Sequence, residues 1–187
     1  LAIGGTALAQ EPPDADEAAK KKSASSTEVT ELEGISVLGT RSSARSATDS
    51  AVPIDIIGGP ELHNQGSTDV LDQLRVLIPS FNVSTIPIDD AATLVRPANL
   101  RGLPPDNTLI LVNGKRRHRS AVITFLGHGL SDGSQGVDLS VFPSMALEQV
   151  EVLRDGAAAQ YGSDAIAGVI NFSLKEMREG GAVEGFA

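Results

Sequence analysis

Cysteine and tryptophan are both missing from this 187-residue chain, and tyrosine occurs once. Without cysteine no disulfide and no thiolate metal site can form, so the redox compartment is left open. Aromatic residues make up only 3% of the chain, too few for the rings that girdle a transmembrane barrel at both interfaces. Alternating strands of about ten residues are also too scarce to close one. No run approaches the roughly twenty apolar residues of a spanning helix. The net charge of −9 argues against general nucleic-acid binding. What is present is 41% hydrophobic residues, enough to build one core of ordinary size, with tails.

The residues of common catalytic devices are equally scarce. There is no cysteine nucleophile, no G-x-S-x-G elbow and no phosphate-cradling loop ending in Lys-Ser/Thr. His63, His118 and His128 are the only near-neutral bases, and nothing places a serine and an acid beside one. No catalytic residue, enzymatic activity or cofactor is expected. Asp132, Ser134, Gly136 and Asp138 offer oxygen at alternate positions, faintly like a calcium loop. The distal bidentate glutamate is missing, so an ordinary polar loop is the better reading. His118 and His128 do not follow zinc spacing. No metal site is expected.

Leu1 to Ala9 is apolar and small, closing on Ala7-Leu8-Ala9 before Gln10. This resembles the end of a secretory leader and implies export, a buried strand or helix start being the alternative. Residues 10–31 are rich in Pro, Ala, Ser, Lys and acids and poor in large apolar side chains. They cannot offset the entropy of ordering, which predicts a flexible, disordered tail. Lys20-Lys21-Lys22 within it reads as a solvated run. Residues 32–41 follow as a short β-prone patch, with Glu33, Gly34, Ile35, Ser36, Val37, Leu38 and Gly39 at its centre. Such a segment suits pairing with a partner's sheet edge, or with an edge of its own domain.

The remaining chain alternates short strands and short helices without a regular repeat, which predicts an α+β fold: a small mixed β-sheet flanked by short helices. Val52 to Ile57 reads as a strand, and Gly59-Pro60-Glu61 starts a short helix that Gly66 stops. Ser67 or Thr68 is expected to cap a second helix with Val70, Leu71, Leu74, Leu77 and Ile78 on its apolar face, ended by Pro79. Leu109 to Val112 has the continuous apolar character of a strand buried on both faces. Asn113-Gly114 after it signals a tight hairpin. Asp138 to Val141 reads as a further strand, and Pro143 to Leu147 as a turn of helix.

The richest run is Glu148 to Lys175. Gln149 to Leu153 alternates as a half-buried strand does, and Asp155-Gly156 breaks it. Ala157 to Gln160 fits one helical turn, which Gly162 can end in a left-handed conformation. Gly168 then opens a strand with Ile170, Phe172 and Leu174 on one face and Asn171 and Ser173 on the other. The matched residues Glu148, Val150, Glu151, Val152, Leu153, Arg154, Tyr161, Gly162, Ala165, Gly168, Val169, Ile170 and Asn171 make this run resemble the signature of the plug domain of TonB-dependent outer-membrane receptors. Asp155 is inserted where many members pass from arginine directly to glycine.

That resemblance implies much that spacing alone does not. It places a plug domain at residues 48–176, carried by Pro53-Ile54-Asp55, Arg101-Gly102 and Leu111-Val112-Asn113-Gly114 as well. It puts 33–39 where the family carries its TonB box, and 177–187 at the start of the first barrel strand. Arg101 and Arg154 match arginines that pair with barrel glutamates, local pairing of Arg154 with Glu151 or Asp155 being the alternative. Arg116, Arg117, His118 and Arg119 fall in a basic loop among those facing incoming solute, although a solvated loop accounts for them equally well. The implied partners are the periplasmic domain of TonB, the receptor's own β-barrel, and a scarce solute such as an iron chelate, cobalamin or oligosaccharide. The implied location is the outer membrane of a Gram-negative cell. A free-standing periplasmic binding or signalling domain is the alternative.

Overall fold

The structure, a computed structural model, describes residues 35–36, 45–46, 53–83, 91–125, 129–155, 157–176 and 180–181, all within the unit Glu33–Ala187. The expected leader, tail and first barrel strand, apart from Gly180 and Gly181, lie outside the described residues, as does most of 32–41.

The strands are β1 (Ile35–Ser36), β2 (Arg45–Ser46), β3 (Ile54–Gly58), β4 (Phe81–Val83), β5 (Ala98–Leu100), β6 (Thr108–Val112), β7 (Lys115–Arg116), β8 (Leu147–Leu153) and β9 (Gly168–Leu174). The helices are α1 (Gly59–His63), α2 (Val70–Leu77) and α3 (Ala157–Tyr161). A five-stranded sheet has the order β3-β8-β9-β6-β7. Its β6–β9 pair is parallel and its other pairs antiparallel, so it is the mixed sheet expected. Two smaller sheets pair β1 with β2 and β4 with β5.

Side-chain alternation along the strands divides the core in two. On one face Ile57, Ile110, Val150, Val152, Ile170 and Phe172 meet Val70, Leu71, Leu74 and Ile78 from α2 and its end, together with Phe81, Val83, Ala98 and Leu100. On the other, Leu109, Leu111, Leu153 and Val169 pack with Ala157 and Ala165. Burying a side chain as large as Phe172, which is fully enclosed, contributes about 1.5–3 kcal/mol. The Asn113-Gly114 hairpin forms as expected, with positive φ at both residues (48° and 73°) and Val112 opposite Lys115.

Three expectations are corrected. The cap of α2 is Asp69, whose carboxylate accepts from the Leu71 amide at 3.0 Å. Ser67 instead accepts from the Asp69 amide. A carboxylate capping the positive end of a helix also gains from its dipole. Residues 138–141 form a turn rather than a strand. There the Asp138 carboxylate accepts from the Ser140 amide and hydroxyl and from the Arg96 amide, which holds the backbone in a side-chain-stabilised turn. Gly162 has φ +98° and ψ −174°, a glycine-favoured extended conformation rather than the left-handed helical one.

Candidate functional site

The Arg101–Arg154 region joins parts of the chain that are far apart in sequence. Arg154 follows the end of β8, and its guanidinium pairs with the carboxylate of Asp55 on the neighbouring edge strand β3. Its carbonyl accepts from Arg101 Nη1 at 2.6 Å. Arg101 and Gly102 turn the chain just after β5, both with positive φ (57° and 70°). The two arginines are therefore brought together. The ion pair that Arg154 makes within the chain is with Asp55, a local partner other than the neighbours Glu151 and Asp155 that the sequence offered as the alternative to barrel glutamates. Register explains this: Asp55 lies opposite Val152 and on the same face as Arg154, two residues further along, whereas Glu151 points to the other face.

Glu151 was expected on the polar side of a half-buried strand, yet it is 0% exposed, as is Asn171. Asn171 Nδ2 donates to Glu151 Oε2 at 3.0 Å, and Gln149 Nε2 donates to Glu151 Oε1 at 3.1 Å. Asn171 Oδ1 accepts the Gly114 amide at 2.9 Å. Asn113 completes the attachment, donating its amide to the Phe172 carbonyl and accepting the Leu174 amide with its side-chain oxygen. The asparagine of the Val-Ile-Asn run thus fastens the β6–β7 hairpin to the middle of the sheet. Replacing Asn171 with alanine removes the side-chain bonds to the Gly114 N–H and to the buried Glu151 carboxylate, and is expected to cost about 2–3 kcal/mol. Urea unfolding checks this, and a loss below about 0.5 kcal/mol would show that the network is dispensable.

The basic loop is only partly open to a ligand. Arg116 bonds Asp164 at 2.7 Å and the Tyr161 carbonyl, tying the loop to α3. Arg119 lies 3.8 Å from Asp106. The Arg117 guanidinium stands 5.9 Å from the centre of the Phe142 ring, which stacks on Phe172 at 4.9 Å. His118 is exposed. Arg117, His118 and Arg119 line an open groove together with the apolar Leu94, Val95, Val122, Val137 and Val141 and the carboxylate of Asp138, which is itself held by the Ser140 and Arg96 amides. This arrangement can receive an apolar body carrying negative charge. The carboxylates Asp106 and Asp164 escaped notice in the sequence, because nothing local marks them as partners of arginines 13 and 48 residues away.

Of the extended segment 33–39, Ile35 and Ser36 are described. They pair with Ser46 and Arg45 and stand outside the five-stranded sheet. Among the described residues no group of acids and histidines could hold a metal ion. In the segment that faintly resembles a calcium loop, the Ser134 hydroxyl donates to the Ser131 carbonyl, the Gly136 carbonyl accepts from the Ser120 amide, and Asp138 holds its turn as above.

Residues 46–169 match the family described as the TonB-dependent Receptor Plug Domain. A ferric enterobactin receptor of Pseudomonas aeruginosa is 31% identical over 173 residues, covering 92% of this chain and 22% of that protein. A vitamin B12 transporter of Vibrio vulnificus is 31% identical over 118 residues, covering 63% of this chain and 17% of that protein. The crystal structure of a siderophore receptor from Acinetobacter baumannii superimposes with a TM-score of 0.50 at 32% identity, over 66% of this chain and 17% of that one. The chain spans about a fifth of the length of the curated relatives it matches.

Proposed function

This chain belongs to the TonB-dependent receptor plug domain family, and from that membership we propose that it is the gate of an active transporter in the outer membrane. The observation that carries the reading is the match over residues 46–169, which includes four strands of the five-stranded sheet and the start of the fifth, β9. Its relatives are named as receptors and a transporter rather than enzymes. The plug sits inside the receptor's own β-barrel, with residues 1–9 as the end of a leader, 10–31 as a periplasmic tail, 32–41 as the TonB-box segment, 48–176 as the gate and 177–187 leading into the barrel. Solute reaches the groove rimmed by Arg117, His118 and Arg119, and Arg116 holds the loop against α3. The solute is a scarce nutrient such as an iron chelate, cobalamin or oligosaccharide. TonB takes hold of Glu33 to Gly39 and draws on the plug so that the solute passes.

Among the described residues β1 pairs with β2 and stands outside the five-stranded sheet; a two-stranded ribbon leaves the other edge of β1 for a partner's strand, which supports the TonB-box reading. A peptide containing residues 33–39 is expected to bind the periplasmic domain of the cognate TonB by strand addition. Proline at Val37 removes an N–H and fixes φ, so affinity should fall about tenfold, equivalent to about 1.4 kcal/mol. Solute uptake by the whole receptor should fail with it. Normal uptake by the Val37→Pro receptor would overturn the assignment.

A further inference from the structure

We infer that Asp55 is a positioning residue that couples the first strand of the main sheet to the arginine pair. Moving that strand then loosens a turn in a different sheet. The strand β3 is the first of the five-stranded sheet in chain order and lies at its edge, paired among the described residues only with β8. It is the part of that sheet reached first by tension applied from the N-terminal side. Its Asp55 holds the Arg154 guanidinium, and the Arg154 carbonyl holds the Arg101 guanidinium. Arg101 belongs to the turn after β5, in the separate β4–β5 sheet. There the Arg101 amide donates to the Ser80 carbonyl at 2.8 Å and the Leu103 amide to the Leu100 carbonyl at 3.1 Å.

The chain of contacts Asp55–Arg154–Arg101 therefore spans two sheets through one residue. Arg154 lies outside the ladder, just beyond β8. Arg101 keeps a positive φ, which disfavours a side chain as large as arginine. A turn in that conformation relaxes when its side-chain anchor is lost. Both carboxylate and guanidinium are about 40% exposed, which makes the pair weak enough to break reversibly. Asp55 is thus suited to act as a release rather than as a permanent tie. That use rests on the gate reading, whereas the coupling itself is a property of this chain and is measurable without TonB or a barrel.

Amide hydrogen exchange on the 187-residue chain tests the coupling. In Asp55→Asn, the Arg101 and Leu103 amides are expected to exchange about fivefold faster, the ratio that corresponds to the loss of about 1 kcal/mol. Arg154→Gln keeps the backbone carbonyl but loses the ion pair, and should give the same pattern. Ile54→Ala weakens the packing of β3 while retaining the pair, so it should speed the β3 amides and leave Arg101 and Leu103 unchanged. The swapped variant Asp55→Arg with Arg154→Asp should restore protection at the turn. Acceleration confined to β3 and β8 in Asp55→Asn, or no recovery in the swap, would overturn the inference. Failure of the residue 33–39 peptide to bind TonB would instead sink the TonB-driven part of the gate reading and leave the coupling standing.

Discussion

Replacing Gly168 with alanine is expected to remove about 4 kcal/mol or more of stability. Gly168 opens β9 with φ +146°, a conformation that costs other residues about 1–3 kcal/mol. A Cβ there would stand 2.6 Å from the Leu153 carbonyl oxygen and 2.7 Å from Leu100 Cδ2. One obstacle is backbone in the β8–β9 ladder and the other is a fully buried core side chain, so neither can withdraw without moving the sheet. Overpacking of this kind adds about 1–3 kcal/mol. Domains of ordinary stability hold only about 5–15 kcal/mol, so the variant should be largely unfolded at modest urea concentrations. Gly136→Ala is the comparison. Its Cβ would meet Pro97 and Pro105 at 2.5 and 2.6 Å, but no unusual φ is involved, so the overpacking cost alone should appear. A Gly168→Ala loss below about 1 kcal/mol, or equal losses at the two glycines, would refute the combined steric and conformational account.

Arg101→Ala and Arg154→Ala should have small effects on the isolated chain and large effects in the assembled receptor. In the chain alone the Arg154–Asp55 pair is partly exposed, and exposed pairs contribute up to about 1 kcal/mol. In the proposed receptor, barrel carboxylates approach the same guanidinium groups and water is excluded. Removing either arginine then leaves a desolvated carboxylate without its partner, which costs about 3–5 kcal/mol. A guanidinium has donors to spare, so Arg154 can keep Asp55 while engaging the barrel. Urea unfolding of the chain, set beside protease resistance of the plug in the whole receptor, measures the contrast. Effects of equal size in both settings would exclude a role for the two arginines at the plug–barrel contact.

The signature run also shows how a motif can be legible while its physical purpose is not. Asn171 was readable as a matched position on one face of a strand, and its placement in β9 agrees. That it holds the Gly114 amide and the buried Glu151 carboxylate depends on β6 and β9 lying side by side in parallel, with Leu111 opposite Asn171. Parallel neighbours are joined by long connections, so no local pattern announces them. The cap of α2 shows a narrower difficulty. Ser67, Thr68 and Asp69 are all competent caps, and the chosen one is Asp69, whose other carboxylate oxygen also bonds Arg96 at 2.6 Å. The turn at 138–141 is hidden from the local pattern for a related reason, since the carboxylate of Asp138 reaches back to the Arg96 amide.

From sequence alone came the family, the α+β class, the apolar face of α2, the Asn113-Gly114 hairpin and the sharp opening of β9 at Gly168. Each of these is written in neighbouring residues, because helical period, strand alternation and turn chemistry act over a few positions. The tertiary structure decided which charges meet. It joined Asp55 to Arg154, Arg116 to Asp164 and Arg101 to the Arg154 carbonyl, and it buried Glu151 between amides. Those pairings follow strand order and register, which are set by the packing of the whole core on both faces of the sheet, and a side chain meets its partner only after that packing has brought distant segments together.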